Sequence, residues 1–347
     1  LNNPTGIWTN YADVFYVFVD SDIPAGTSLR IVGPTGNLNR AWCNQGVELK
    51  KGMNIIFGSA DLATQWIMYT AEYNSKKKMS DYPELKIHIE GGRVLGYVDA
   101  QGKDEATVNA EYKEVLLNAN AVLKAEGTSD GDINLPIVGT FGILDFPVAN
   151  YNQIWANQAW RGRNYGYNIY KSLMFYDNTL MWEWGACGIT SRVANGQAAA
   201  TEHMTGGRDI WPTYINCKAP AMMLMENGKN PYSSDGYTCM PGVGAVESSY
   251  NAERADFDTW CVGHESGHNV QHTINLPSSM ESSNNYFSNI ITYQHGYRMS
   301  RGMNFDENYE YTLKKTNFSH RSISITMRMY YNFYLYYHLL DKKTDFS

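Results

Sequence analysis

The sequence predicts an α+β protein, with an N-terminal β-sandwich-like domain over residues 1–103 and a mainly α-helical region over residues 104–347. Three observations carry this expectation. Short runs rich in β-branched and aromatic residues fill the opening region, turn residues separate them, and near residue 104 the spacing becomes helical. DVFYVFVD (13–20) is the first run. SLRIVGPTG (28–36) follows and enters a Pro/Gly turn. GMNIIFG (52–58), QWIMYTAEY (65–73) and ELKIHIEGG (84–92) complete the set. Strands at this spacing predict a sandwich. DEATVNAEYKEVLLNANAVLKAEG (104–127) then places Ala, Val and Leu at helical intervals and ends in glycine. Beyond it helices and irregular segments are expected to dominate. Loops rich in Gly, Asn and Ser lie around Asn195 and Gly196, at 205–208 and at 227–244. The last holds Pro231 and Pro241, and long loops of this kind often bind ligands.

Composition narrows the function classes. Of the 347 residues, 43 % are apolar, enough for a sizeable core. The net charge of −7 argues against nucleic acid or an anionic membrane as the main partner. Lys76, Lys77 and Lys78 form the one basic run and read as a solvated turn. No apolar stretch approaches the roughly 20 residues that span a bilayer. Aromatics reach 14 %, chiefly through 26 tyrosines. Such a chain often presents aromatic surface to carbohydrate, although core packing is the commoner use. The five cysteines, Cys43, Cys187, Cys217, Cys239 and Cys261, form no CxxC pair, so a cysteine zinc site is not expected. The chain opens LNNPTG without an initiator Met and closes KKTDFS after an aromatic helical pattern. Removal of an N-terminal segment and truncation of the helical region after Ser347 are expected.

WCVGHESGHNVQH (260–272) concentrates the chemistry, with three of the eight histidines within nine residues. His264-Glu265-Ser266-Gly267-His268 fits H-E-x-x-H. On a helix, residues i and i+4 share a face, so both imidazoles reach one metal ion, and the intervening glutamate stands beside a metal-bound water. Zinc would acidify that water, and Glu265 would accept its proton during attack on a peptide carbonyl. Chance places the pentapeptide in roughly one chain of this length in a hundred. Asp256 or Asp258 is expected to cap the helix. Gly263 and Gly267 weaken it by up to about 1 kcal/mol each and suggest close backbone approach to a neighbour or to substrate.

Glu281, in MESSNNYFSNI, is the first carboxylate downstream and lies thirteen residues past His268. Met280, Tyr286, Phe287, Ile290 and Ile291 predict a second helix that begins near it. His264, His268 and Glu281 are therefore the candidate Zn2+ ligands, with Glu265 as general base. His272 reads as a residue beside the ligands or in the cleft wall. Asn285, four residues after Glu281, is a candidate to orient that ligand or else faces solvent. Tyr293, His295, Tyr297 and Arg298 are candidates for stabilising an oxyanion. His203 is a candidate cleft residue, and Trp155, Trp160, Trp182 and Trp184 are candidates for a glycan-tolerant cleft.

These residues resemble the enhancin-like, M60-like zinc metallopeptidases of viral enhancins and mucin-degrading gut bacteria. HExGH followed after a short spacer by Glu is that family's signature, and GHNVQ and ESSNNYFS look like its flanks. TGIW and IHIEGG resemble its accessory β-domain. The resemblance implies a β-sandwich accessory domain over 1–103 and a thermolysin-like zincin catalytic domain over 104–347. It implies glycoprotein or mucin substrates, peptide-bond hydrolysis and secretion or cell-surface exposure. A monomer is expected, without a transmembrane segment or nucleic-acid partner. The alternative is a non-catalytic glycan- or protein-binding module with a structural or vestigial zinc site. Glu265 weighs against it, because a closed structural site has no use for a neighbouring carboxylate. Hydrolysis of something other than peptide bonds is a third reading.

Overall fold

A computed structural model describes residues 2–10, 12–33, 46–58, 63–71, 82–155, 168–186, 221–225, 232–234, 237–240, 255–271, 281 and 284–295. The chain is α+β. Its first nine strands are β1 (Asn2–Thr9), β2 (Val14–Val19), β3 (Thr27–Val32), β4 (Val47–Glu48), β5 (Gly52–Phe57), β6 (Ala63–Ala71), β7 (Ile87–Glu90), β8 (Arg93–Val94) and β9 (Val98–Asp99). Eight of them form two antiparallel sheets, ordered β4-β3-β6-β1-β8 and β5-β2-β7. In β2, Phe15, Val17 and Val19 point inward while Val14 and Tyr16 are exposed, the period-2 alternation of a half-buried strand. The inward set meets Leu29, Ile31 and Ile67 from the larger sheet, so the two sheets share one apolar cluster.

A third sheet follows, which the sequence does not foretell. β10 (Asn134–Val138), β11 (Gly142–Pro147), β12 (Ala221–Met225), β13 (Tyr232–Ser234) and β14 (Tyr237–Met240) join β9 in the order β13-β14-β12-β11-β10-β9. Helices account for most of the described secondary structure after residue 104, and the expectation omitted the sheet they pack on. Every residue of β11 is buried, so no alternation marks it. Pro136 and Pro147 read as strand breakers. Val32, Trp66 and Met68 of the first sheet pack on Val138, Ile143, Met222 and Cys239 of this one, so the sheets stack.

Helices flank the stack. α1 (Glu105–Glu126) starts at Asp104, whose side chain accepts from Thr107 N at 2.8 Å, and ends at Gly127 with φ 65°. Val108, Tyr112, Leu116, Ala119 and Leu123 form its buried face. α2 (Val148–Trp155) and α3 (Ile169–Ala186) follow, and Ile169, Leu173, Tyr176 and Leu180 turn into the main core. Asp177 of α3 accepts from the backbone N–H groups of Thr140, Phe141 and Gly142 at 2.8, 3.1 and 2.8 Å, which pins the β10–β11 turn to this helix. No helix among the described residues is long and apolar enough to cross a membrane.

α4 (Ala255–Gly267) and α5 (Asn285–Gln294) complete the described elements. α4 begins ahead of Asp256 and Asp258, so both fall within its first turn rather than at its cap. The glycines of α4 have a packing role. A Cβ at Gly263 would lie 2.9 Å from Ile291 Cβ, and one at Gly267 would lie 2.5 Å from Asn284 Oδ1 and 2.9 Å from Phe287 Cβ. The helices therefore approach along the glycine face, antiparallel to one another.

In an open helix Gly→Ala stabilises by about 1 kcal/mol. Gly267→Ala is expected to reverse that sign and cost about 1–3 kcal/mol, because the methyl overpacks the α4–α5 contact. Thermal melting of the metal-free protein checks it, and a raised melting temperature would refute the close packing.

Candidate metal centre

α4 carries His264, and His268 follows directly after the helix ends at Gly267, one turn on, with its N–H donating to His264 O at 3.3 Å. Their rings meet edge to face, with centroids 4.8 Å apart. Glu281 lies just ahead of α5, where its backbone carbonyl accepts from Asn285 Nδ2 at 2.7 Å. Its Oε2 lies 2.9 Å from His264 Nε2 and 3.5 Å from His268 Nε2. The three ligand atoms fall within 4.8 Å of one another. Ligands about 2.0–2.2 Å from one tetrahedral ion stand roughly 3.3–3.6 Å apart, so small side-chain adjustments in this cluster would accommodate zinc. Two imidazole nitrogens and one carboxylate oxygen are also a donor set zinc accepts. The site opens on one side, since the histidines are mostly covered while the Glu281 side chain is 56 % exposed.

Electrostatics favour a cation here. Hydrogen bonding to His264 draws the Glu281 carboxyl below the usual range, against an opposing push from burial. Burial, then the neighbouring His264, lowers the His268 pKa, which keeps its imidazole neutral. Glu265, buried beside them, rises to about 7, mainly through burial, with His264 opposing and Glu281 adding to the rise. A bound dication would pull it back toward the ionised form.

Neighbouring side chains set the ring orientations. Gln271 Oε1 lies 2.6 Å from His268 Nδ1 and accepts its proton, which leaves the Nε2 lone pair for a cation. Trp260, one turn before His264, stacks on that ring at 4.7 Å and 20°. Asn284 Nδ2 donates to the His264 carbonyl across the α4–α5 contact. None of the three was singled out from sequence. Gln271 was legible in principle, because i+3 on a helix lies on the same side as His268.

Asn285 is buried and holds the Glu281 backbone rather than its carboxylate. His295 has its ring committed to α3. It stacks on Phe175 at 4.3 Å, meets the edge of Trp182 at 4.8 Å and lies 3.2 Å from Thr179 Oγ1. Tyr293 belongs to α5, with its side chain outside the described set, as are the side chains of Trp155 and Trp184. His272, Tyr297, Arg298, His203, Trp160, Lys76, Lys77, Lys78, Cys43, Cys187 and Cys217 lie outside the described residues, as does residue 296 onward. Of the loop expected at 227–244, the described part forms β13 and β14. Cys239 and Cys261 are buried.

The chain matches no family model and no curated protein. Its fold does match solved structures. A metallopeptidase from Bacteroides thetaiotaomicron aligns with a TM-score of 0.69 at 22 % identity, over 99 % of this chain and 52 % of that one. A metallopeptidase in complex with Tn antigen aligns at 0.68 and 22 %, over 99 % of this chain and 57 % of that one. The M60 catalytic domain of Clostridium perfringens ZmpC, in complex with sialyl T antigen, aligns at 0.58 and 14 %, over 96 % and 62 %. The chain thus spans little more than half the length of the first two, and it shares its fold with M60 metallopeptidases.

Two outcomes follow from this geometry. Gln271→Ala is expected to weaken zinc affinity about 10–100-fold, measured by chelator competition, because it frees the His268 ring and tautomer. Burial lowers His295 from 6.5 to about 4. Between those values the unfolded chain binds a proton the folded chain does not, so stability falls as pH drops from 6.5 toward 4, by up to about 3 kcal/mol. Urea midpoints across this range should show that loss, and His295→Phe should remove a large part of it.

Proposed function

We propose that this chain is the catalytic part of an M60-like, enhancin-like zinc endopeptidase that hydrolyses peptide bonds of O-glycosylated proteins such as mucins. The observation that carries the proposal is the convergence of His264, His268 and Glu281 ligand atoms within 4.8 Å, beside the buried Glu265. His264, His268 and Glu281 would hold the ion. Zinc in that position supplies Lewis acidity, polarising the scissile carbonyl and lowering the pKa of water.

The remaining work falls to the chain. A Glu265 carboxylate oxygen takes the proton of the attacking water and delivers it to the departing amine nitrogen. A carboxyl that titrates near neutrality suits both transfers. Gln271 keeps the His268 tautomer fixed throughout. The short distance from Trp260 to His264 limits tilting of that ring. A monomer is the working unit of this proposal.

Two sheets that share a core before residue 95 support a β-sandwich accessory domain over 1–103. The helices that carry the ligands support a zincin catalytic domain over 104–347. The glycan part of the reading draws on two neighbours of like fold that were solved with Tn and sialyl T antigens. Glycoprotein substrates of that class imply a secreted or cell-surface enzyme.

The test is incubation of the zinc-loaded protein with a mucin-type glycoprotein, with its deglycosylated form, and with a Glu265→Ala control. The wild type should cleave the glycosylated form, and Glu265→Ala should lose about 10²–10⁴-fold in rate with zinc still bound. Cleavage of both forms would retain the peptidase and remove the glycan requirement. A zinc-loaded wild type that cleaves neither would overturn the reading in favour of a binding module.

A further inference from the structure

Behind the histidines, on the side of α4 away from the ligand cluster, α3 presents Glu183. The residue is fully buried, and its Oε2 has no hydrogen-bond partner. Its Oε1 lies 2.7 Å from Ser266 Oγ, the serine within His264-Glu265-Ser266-Gly267-His268. Ser266 Oγ also lies 2.6 Å from the Val262 carbonyl oxygen, one turn back on α4. Both contacts are short, and Ser266 and Val262 are themselves buried.

Proton counting decides what these contacts mean. A hydroxyl carries one proton, and a carbonyl can only accept. The Ser266 proton therefore belongs to Val262 O. The Glu183–Ser266 contact then needs a second proton, and the carboxyl is the one group that can supply it. Ionised Glu183 would take the serine proton for itself and leave Ser266 Oγ and Val262 O facing each other at 2.6 Å with no hydrogen between them. It would also be a buried anion, and among the described residues no Lys or Arg pairs with it. One turn earlier on the same face of α3, Thr179 meets His295, whose ring is neutral and offers no countercharge. Burial likewise pushes the Glu183 carboxyl well above its ordinary range.

We propose that Glu183 is a positioning residue of the metal site, a neutral carboxylic acid that donates to Ser266 and thereby fixes the rotation of the ligand-bearing helix α4 from behind. The relay runs from the Glu183 carboxyl to Ser266 Oγ and from Ser266 to Val262 O. It ties α3 to the turn that separates His264 from His268. The effect on the ligands rests on the proposed metal site, while the protonation of Glu183 does not.

Infrared difference spectra between wild type and Glu183→Gln at neutral pH test the protonation directly. The expected result is a protonated-carboxyl C=O band that is absent from the variant and shifts in Ser266→Ala. Absence of that band would overturn the neutral acid. Zinc affinity by chelator competition tests the positioning. Glu183→Gln retains an N–H donor and should stay within about threefold of wild type, whereas Glu183→Ala should weaken binding about 10-fold. A Gln variant as impaired as the Ala variant would overturn the donor role, and an Ala variant that binds zinc like wild type would overturn the positioning role. Failure of the wild type itself to bind zinc would remove the metal-site reading, and the infrared band would still decide the state of Glu183.

Discussion

The distance between α4 and α5 governs the site. One ligand candidate rides on α4, a second directly follows its last residue, and the third stands just ahead of α5, so no feature internal to either helix brings the three together. Gly263 and Gly267 set the separation by offering bare backbone to Ile291, Phe287 and Asn284. Asn284 then fixes the register by donating to the carbonyl of a ligand residue, His264. The glycines cost helix propensity and return proximity, a trade that isolated helices never need. The same closeness forces polar groups inward. Asn285, Ser288, Asn289 and Thr292 recur at helical spacing along α5, and all are buried.

That polar stripe explains part of what the sequence concealed. Periodicity finds a helix by assuming that its buried face is apolar. For α1 the assumption holds, and the helix was legible from Asp104 to Gly127 with both ends correct. For β2 it also holds, because one side of the strand meets a core and the other meets water. It fails for β11, buried on both sides, and for β10, where Pro136 interrupts the pattern. β13 and β14 are too short for a period to register.

The candidate site was legible to the extent that its logic is local. An i, i+4 histidine pair is a property of one helix and can be read along the chain. Glu281 came within reach because a turn and a second helical pattern bounded where it stands. Trp260 and Asn284 were missed, although each is close in sequence to a ligand candidate, because amides and indoles carry no signal until a partner is seen, and Gln271 was missed although its i+3 spacing from His268 was readable. Glu183 is a different case. It lies 83 residues from Ser266, and only the packing of α3 on α4 joins them. His295 differs again, as a titratable residue near the motif whose ring packs against Phe175 and Trp182.

The uneven exposure of the three candidate ligands gives the site an inside and an outside. Both imidazoles are lodged in the wall of the protein, held by an indole on one side and an amide on the other, whereas water already touches the Glu281 carboxylate. In the proposed site, the carboxylate would be the donor that an ion or a chelator arriving from solution meets first. Access to such a centre would pass one half-exposed side chain, with the mostly buried histidine pair as a preset cradle behind it.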